Sequence, residues 1–343
     1  MSANPIPISY YLGVDTGATK THALISDSAG NVKAFVSAGP GNPQSIGGYG
    51  ALERLLTLLI QKACETAGIV IADIRAAGLG LAGYDWLSQK ERFYQLACGA
   101  GLPERTALVN DAGLGIYAGT TEGWGICVAA GTSFNCRGRG RDGREAFAIG
   151  DGIRWGEGAG ALELALKSAQ AIIAQYTMSG PETRLTDLFL EAFGAPTLAD
   201  LVEGIVSGKH RITAALAPGI IEVARQGDGA ANLAVLWAAE SLANLARGAI
   251  RQLGLADQPF EIVLSGSFFK AGDIIIAPMQ ESVLRLAPYA TFHTLELPPV
   301  CCGALLAMEE DEGVSVEERK RIKEQLREWF KDEGKSTPAN MSF

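Results

Sequence analysis

The sequence predicts an α/β protein built on a duplicated unit, and three observations lead there. Short apolar segments that end in glycine turns alternate with segments of helical periodicity. The pattern of the first forty or so residues returns about 115 residues later, which marks a duplicated domain rather than a solenoid. The composition, 48% hydrophobic and 20% charged over 343 residues, suits a large buried core.

The elements follow in order. Residues 10–15, 20–26 and 32–38 predict a hairpin and a third strand, with DSAGN (27–31) as the second turn. Leucines at 52, 55, 56 and 59 predict a helix over 50–67. IRAAGLGLAG (74–83) predicts a strand ending in a glycine loop, 88–100 a helix, and TALVN (106–110) a strand running into Asp111. The opening pattern then recurs in GWGICVAAGTSFNCRGRGRDGREAFAIGD (123–151): strand, Gly-Thr-Ser turn, strand, D-x-G-type turn, strand. Helices are expected over 158–176, 182–193, 197–207, 211–226 and 230–253. FEIVLSGSFFKAG (260–272) predicts a buried strand, a glycine-serine turn and a helix. Residues 291–310 predict a strand, a double-proline stop and a core helix; 315–333 a charged amphipathic helix; and 334–343 a frayed tail. The domains expected are 1–118 and 119–343, the second enlarged by the helical insertion, with the last helices packing back on the first.

Bulk properties narrow the function. A net charge of −9 and a pI near 5.0 offer no basic stripe for nucleic acid or an anionic membrane. The start, MSANPIPISYYLG, lacks a basic region and a long apolar core, so neither a signal peptide nor an anchor is expected, and the predicted location is the cytoplasm. The six cysteines (64, 98, 127, 136, 301, 302) contain no C-x-x-C pair, and there are three histidines. Reduced, mostly buried thiols are expected, and no zinc site.

Three glycine-rich turns each follow a hydrophobic strand: Gly13–Thr21, Ala130–Asn135 and Ser265–Ser267. A tight turn needing positive φ explains any one of them. Three in one α/β chain favour a phosphate-bearing ligand at the strand ends, held by backbone N–H and hydroxyl donors. Gly-x-x-x-x-Gly-Lys-Ser/Thr does not occur, and Gly-x-Gly-x-x-Gly occurs only within the predicted strand at 78–83 and in the turn between strands at 138–143, not opening a helix after a strand, so the P-loop and Rossmann readings fail. Asp15, at the end of the first strand, has the chemistry to hold Mg²⁺ through water, or to serve as an Asx-turn residue. Asp111 suits either a general base or a helix N-cap.

The motifs GVDTGATKTHALISD, VNDAGLG, VAAGTSFNCR, IVLSGSFFKAG and CCGALLAME resemble, in that order, the phosphate, connecting and adenosine segments of the actin-like ATPase superfamily. Within it the chain is most similar to the N-acetylglucosamine kinase group and its relatives, the BadF/BadG/BcrA/BcrD-type activator ATPases. The resemblance covers nearly the whole chain. It implies two ribonuclease-H-like domains with ATP in a cleft between them and a hinge that closes on substrate. Carried over, Asp15 would hold Mg²⁺, and Gly17, Thr19 and Lys20 would line the phosphates. Gly131, Thr132 and Ser133 would face them, and Gly266 and Ser267 would contact adenosine. Asp111 would be the base for a sugar hydroxyl, and Asn42, Gly83, Thr132 and Asn135 fall where amino-sugar kinases bind their sugar.

The chain also departs from that pattern. Phe134 stands where the kinases have a smaller residue. In IGDGIRWGEGAG (149–160), Glu157 and Gly158 match the family's Gly-Asp-Glu-Gly-Ser, but its Asp becomes Gly156 and its tryptophan position falls near Gly150, with Asp151 or Trp155 as candidate replacements. The expected activity is ATP-dependent phosphorylation of an amino sugar, N-acetylglucosamine first, by a homodimer. The alternatives are an activator ATPase, for which Cys127 and Cys136 on opposite strands of one hairpin are poor cluster ligands, and a non-catalytic nucleotide-binding protein.

Overall fold

The β-patterned start folds as an antiparallel meander of β1 (Tyr10–Thr16), β2 (Thr21–Asp27) and β3 (Val32–Ala38). The turn after β2 is fixed by Asp27, whose Oδ1 accepts the backbone N–H groups of Ala29 and Asn31 at 3.0 Å each. A short helix α1 (Pro43–Ile46) leads to α2 (Tyr49–Ala67), which buries Leu52, Leu56, Leu59 and Ile60. β4 (Ile74–Leu81) lies parallel to β1, and β5 (Thr106–Asn110), reached through α3 (Lys90–Gly99), lies parallel to β4. After α4 (Leu114–Gly119) the second meander begins: β6 (Gly125–Ala130), β7 (Phe134–Arg139) and β8 (Glu145–Phe147).

The computed structural model describes residues 8–150, 152–153, 156–332 and 339–340. The helical region contains α5 (Ala161–Tyr176), α6 (Leu185–Phe193), α7 (Leu198–Val206), α8 (Ala217–Arg225) and α9 (Gly229–Leu253). Helix α8 starts later than its periodicity predicts because Pro218 lacks an N–H and belongs in a first turn. β9 (Phe260–Ser265), α10 (Asp273–Leu284), β10 (Ala290–Thr294), α11 (Pro299–Glu312) and α12 (Val316–Asp332) complete the main elements. Within the tail expected to fray, Ala339–Asn340 form β11, which pairs parallel with β3; the other residues after Asp332 lie outside the described residues.

The first sheet has the order β11-β3-β2-β1-β4-β5 and the second β10-β9-β6-β7-β8. Read from β8, the second runs β8-β7-β6-β9-β10, which repeats the third-second-first-fourth-fifth order of β3-β2-β1-β4-β5. The duplication seen in the sequence is therefore a duplication of topology. The chain divides into two compact units: one formed by residues up to Cys127, Arg139–Gly143 and everything from His293, the other by Val128–Gly138 and Arg144–Phe292.

In the first unit α11 returns from the far end of the chain to lie directly on β1 and β4. Glycines allow this approach. A methyl group on Gly303 would sit 2.7 Å from the carbonyl oxygen of Gly78 and 3.0 Å from Gly13 Cα, and one on Gly13 would strike the backbone of Val300 and Ala304. Helix α12, charged on one side, buries Ile322, Leu326 and Arg319 and sets Trp329 and Phe330 edge-on to Phe35 of β3. In the second unit the long α9, capped by the Asp228 side chain on Ala231 N–H (2.8 Å), supplies a buried face from Ala231 to Leu253. Among the described residues no helix is long and apolar enough to cross a membrane.

Candidate active site

In the first unit, three strand-end loops are stitched together by backbone contacts. The turn after β1 is closed by Gly17 N–H donating to Lys20 O (2.9 Å). Gly41 N–H donates to Gly17 O (2.9 Å), and Ala82 N–H donates to the buried Thr16 hydroxyl (2.8 Å). This brings Asn42 and Gly83 together: a Cβ on Gly83, whose φ is +80°, would stand 3.0 Å from Asn42 Oδ1. Asn42 also caps α1, its Oδ1 accepting Gln44 N–H at 2.9 Å. Thr19 and Lys20 are exposed and Gly17 is half-buried.

The half-buried Asp15 ends β1 opposite His22 of β2 and Gly80 of β4. Its carboxyl is pushed up to about 7, first by burial and then by the negative charge of Asp111. Asp111 opens the helical turn that follows β5, so the parallel β1, β4 and β5 deliver both acids at strand ends. The cap of that turn is Asn110, whose Oδ1 accepts Ala112 N–H (3.1 Å) while its Nδ2 donates to Tyr84 O (3.1 Å) and Asp85 Oδ1 (3.0 Å). The N-cap reading of Asp111 is thereby corrected: the preceding residue has the extended backbone a cap requires, at φ −63° and ψ 146°. Burial, with Asp15 adding to it, pushes the Cys302 thiol of α11 up to about 12.

The second unit builds its turn differently. Gly131 N–H donates to Ser133 O (2.8 Å). The carbonyls of Gly131 and Thr132 accept the N–H groups of Ala161 and Leu162 at 2.9 and 3.1 Å, so the turn is tied to the first residues of α5. The buried Glu163 closes that end by accepting Gly160 N–H (3.2 Å); burial raises its carboxyl, and the backbone bonds partly offset this. Gly266, at φ +107°, lies so close to Ala130 that a Cβ would strike the Ala130 carbonyl oxygen. Ser267 Oγ stands 3.9 Å from where a Gly131 Cβ would be, so Gly131, Gly266 and Ser267 gather at one place. Thr132, Ser133, Gly266 and Ser267 are exposed.

Asn135 follows Phe134 on β7, and the two point oppositely. Phe134 is 3% exposed and belongs to the core, so its bulk is directed inward. A Cβ on Gly150 (φ +72°) would lie 3.1 Å from the Asn135 amide. Gly156 is exposed with open space around it, whereas Gly158 is packed against Trp237. Asp151 and Trp155 lie outside the described residues.

The family model of the BadF/BadG/BcrA/BcrD ATPase family matches residues 12–292. The chain belongs to that family. Two curated relatives of this BadF/BadG/BcrA/BcrD-type ATPase are an N-acetylmuramic acid/N-acetylglucosamine kinase of Clostridium acetobutylicum and an N-acetyl-D-glucosamine kinase of Dictyostelium discoideum. The first is 28% identical over 198 residues, covering 58% of this chain and 64% of the relative, so the match spans just under two thirds of that protein. The second is 25% identical over 316 residues, covering 87% and 97%. A solved structure from Chromobacterium violaceum, provisionally assigned as an N-acetylglucosamine kinase, superimposes with a TM-score of 0.63 at 22% identity, covering 88% of this chain and 99% of that one. The fold is that of the actin-like ATPases and sugar kinases, with two ribonuclease-H-like units.

Three residues that shape this family member's site were not among those singled out as ligands. Asn110 is adjacent to the more conspicuous Asp111. Glu163 stands three residues after Gly160, the spacing of a capping box, which is a readable signal. Glu157, which matches the family's Gly-Asp-Glu-Gly-Ser pattern, holds two backbone N–H groups, Gly150 at 2.7 Å and Ile149 at 3.2 Å, a role the motif itself does not spell out.

Proposed function

We propose that the chain is an ATP-dependent amino-sugar kinase, with N-acetylglucosamine as its acceptor and Asp111 as the general base. The observation that carries this reading is the pair of half-buried acids Asp15 and Asp111, at the ends of β1 and β5 on either side of β4, with the Gly17–Lys20 turn following β1 and the capping role taken by Asn110. An acid relieved of capping at such a place suits proton abstraction. Asp111 Oδ takes the proton from the acceptor hydroxyl as that oxygen forms its bond to the γ-phosphorus and ADP departs. The residues offered to the sugar are Asn42 and Gly83 in the first unit and Thr132 and Asn135 in the second. Gly17, Thr19, Lys20, Gly131, Thr132 and Ser133 offer backbone N–H and hydroxyl donors to phosphates, and Gly266 and Ser267 serve the adenosine side.

The donor set fits magnesium. The repulsion from Asp111 that helps raise the Asp15 carboxyl is relieved by a divalent cation, and Mg²⁺ bound with nucleotide needs only one or two protein carboxylates. Asp15 would hold it; when bound, it neutralises charge on the phosphates. The activator reading needs accessible thiolates. Cys127 and Cys136 are both buried, and burial pushes the Cys136 thiol up to about 12. A soluble cytoplasmic homodimer is the assembly that accompanies the kinase reading.

The decisive experiment is a coupled ADP-release assay with Mg-ATP across N-acetylglucosamine, N-acetylmuramic acid, glucosamine, N-acetylmannosamine, glucose and mannose, with light scattering to give the oligomer. N-acetylglucosamine should give the highest kcat/KM. ADP release that no sugar stimulates would reject the kinase reading in favour of a non-catalytic or activator role.

A further inference from the structure

Glu157 is used by nothing in the mechanism above, yet it is tied to the acceptor side of the second unit. Its Oε2 accepts Gly150 N–H at 2.7 Å and its Oε1 accepts Ile149 N–H at 3.2 Å. Both are charge-assisted bonds between residues seven and eight apart, so they tie Glu157 back to Ile149 and Gly150. The residues on either side of this tie are also held in place. Before it, Ala148 N–H donates to Cys136 O (2.9 Å), continuing the β7 ladder. After it, Gly158 packs so closely on Trp237 that a Cβ would strike the indole. The carboxylate fixes where Gly150 lies, and Gly150 packs against the Asn135 amide, whose Oδ1 also accepts Cys136 N–H at 2.8 Å. The positive φ of Gly150 is what lets the backbone approach that amide without a side chain between them.

We infer that Glu157 is a positioning residue for the acceptor: by clamping the Ile149 and Gly150 amides it holds the turn that orients Asn135 toward the sugar. This rests on the amino-sugar kinase reading, because Asn135 matters only if it meets an acceptor. The clamp acts on acceptor recognition and leaves the phosphate turn at Gly131–Ser133 to its own bonds with α5. Its signature is therefore a change in acceptor KM that nucleotide KM does not share.

The test compares Glu157→Ala and Glu157→Gln with the wild-type protein, measuring KM for N-acetylglucosamine, KM for ATP, kcat, thermal midpoint, and hydrogen exchange of the 149 and 150 amides. In Glu157→Ala both amides should exchange faster, and acceptor KM should rise roughly 10- to 100-fold, the effect of losing hydrogen bonds to a charged group. ATP KM should stay within about twofold, the margin within which no bond of that strength has been lost. Glu157→Gln keeps an acceptor oxygen and should recover part of the loss. An acceptor KM within twofold of wild type overturns the inference, as does a parallel loss in both KM values and kcat with a collapsed midpoint, which would mark Glu157 as purely structural. If the wild-type protein phosphorylates no sugar, the kinase reading fails first. Calorimetric titration of the same sugar into wild type and Glu157→Ala then decides the clamp separately: equal binding or none to either overturns it.

Discussion

In the first unit, the turn between the two leading strands stands beside two acids that repel one another; in the second, the topologically equivalent turn stands beside acids committed to backbone N–H groups. Asp15 is raised by burial and by Asp111, whereas Glu157 and Glu163 hold the amides of Ile149, Gly150 and Gly160. The sheets share one strand order, so the difference lies in chemistry placed on a repeated backbone. A carboxyl raised to about 7 beside a second acid suits cation binding and proton transfer. Carboxylates bonded to backbone amides suit holding a loop still. The comparison teaches that a duplicated topology predicts where turns fall, and that the charge around each turn must be read separately.

The largest effect should come from the first unit. Asp111→Asn keeps side-chain size, and because Asn110 already caps the turn, the fold and nucleotide binding should survive. Turnover should fall about 10²–10⁴-fold, the usual loss on removing a general base. A coupled assay together with nucleotide calorimetry reads both. Near wild-type turnover would remove the functional half of the contrast between the units.

Asp15→Asn tests the same pair through stability. A carboxyl raised to about 7 in the folded protein takes up a proton there more readily than in the unfolded chain. Folding stability due to this group is therefore retained at low pH and lost as pH rises from about 4 to 7. Removing the carboxylate should stabilise the protein at pH 8 by an amount whose upper limit is about 4 kcal/mol, with the gain vanishing toward pH 4. Denaturant melts across that range give the answer. A variant less stable than wild type at pH 8 would show that Asp15 is favourably partnered, contrary to the repulsion described here.

Gly303→Ala probes the packing that belongs to the first unit. The added methyl would meet the backbone of Gly78, Gly13 and Val14, none of which can turn aside as a side chain does. A loss of about 1–3 kcal/mol, the usual cost of overpacking, is expected in chemical denaturation. An unchanged midpoint would mean that α11 slides easily on β1 and β4.

Much of this was legible in the residues. The strand-turn-strand repeat could be read because Gly, Thr and Asp mark turns wherever they interrupt apolar runs, and the two meanders lie where that pattern puts them. Gly13, Gly78 and Gly303 were visible as glycines, but their reason, a helix returning from nearly three hundred residues away, is long-range packing that no local pattern encodes. At the candidate site the turns were readable, while the division of roles between Asn110 and Asp111 was not, since both residue types cap helices. The bulk of Phe134 was plain; its direction follows from the in-out alternation of β7, where residues 134, 136 and 138 are buried. The Glu157 clamp joins residues seven and eight apart and has no periodic signal.

The smallest effect should come from the second unit, and it sharpens the contrast most directly. The Gly131–Ser133 turn is held by its own backbone and by the first residues of α5, so its shape does not depend on the Thr132 or Ser133 hydroxyls, both of which belong to exposed residues. If the turn contacts phosphate mainly through N–H groups, then Thr132→Ala and Ser133→Ala should each weaken Mg-ATP binding by no more than about tenfold, the value of a single neutral hydrogen bond. Thermal midpoints should stay within a degree or two of wild type, as surface truncations away from the core shift stability by about 0.5 kcal/mol at most. Titration calorimetry with a non-hydrolysable ATP analogue measures this without turnover. A loss beyond about a hundredfold exceeds what one neutral hydrogen bond supplies. The second turn would then work through its side chains as the first does through Asp15, and the division between a charged turn and a backbone turn would fail.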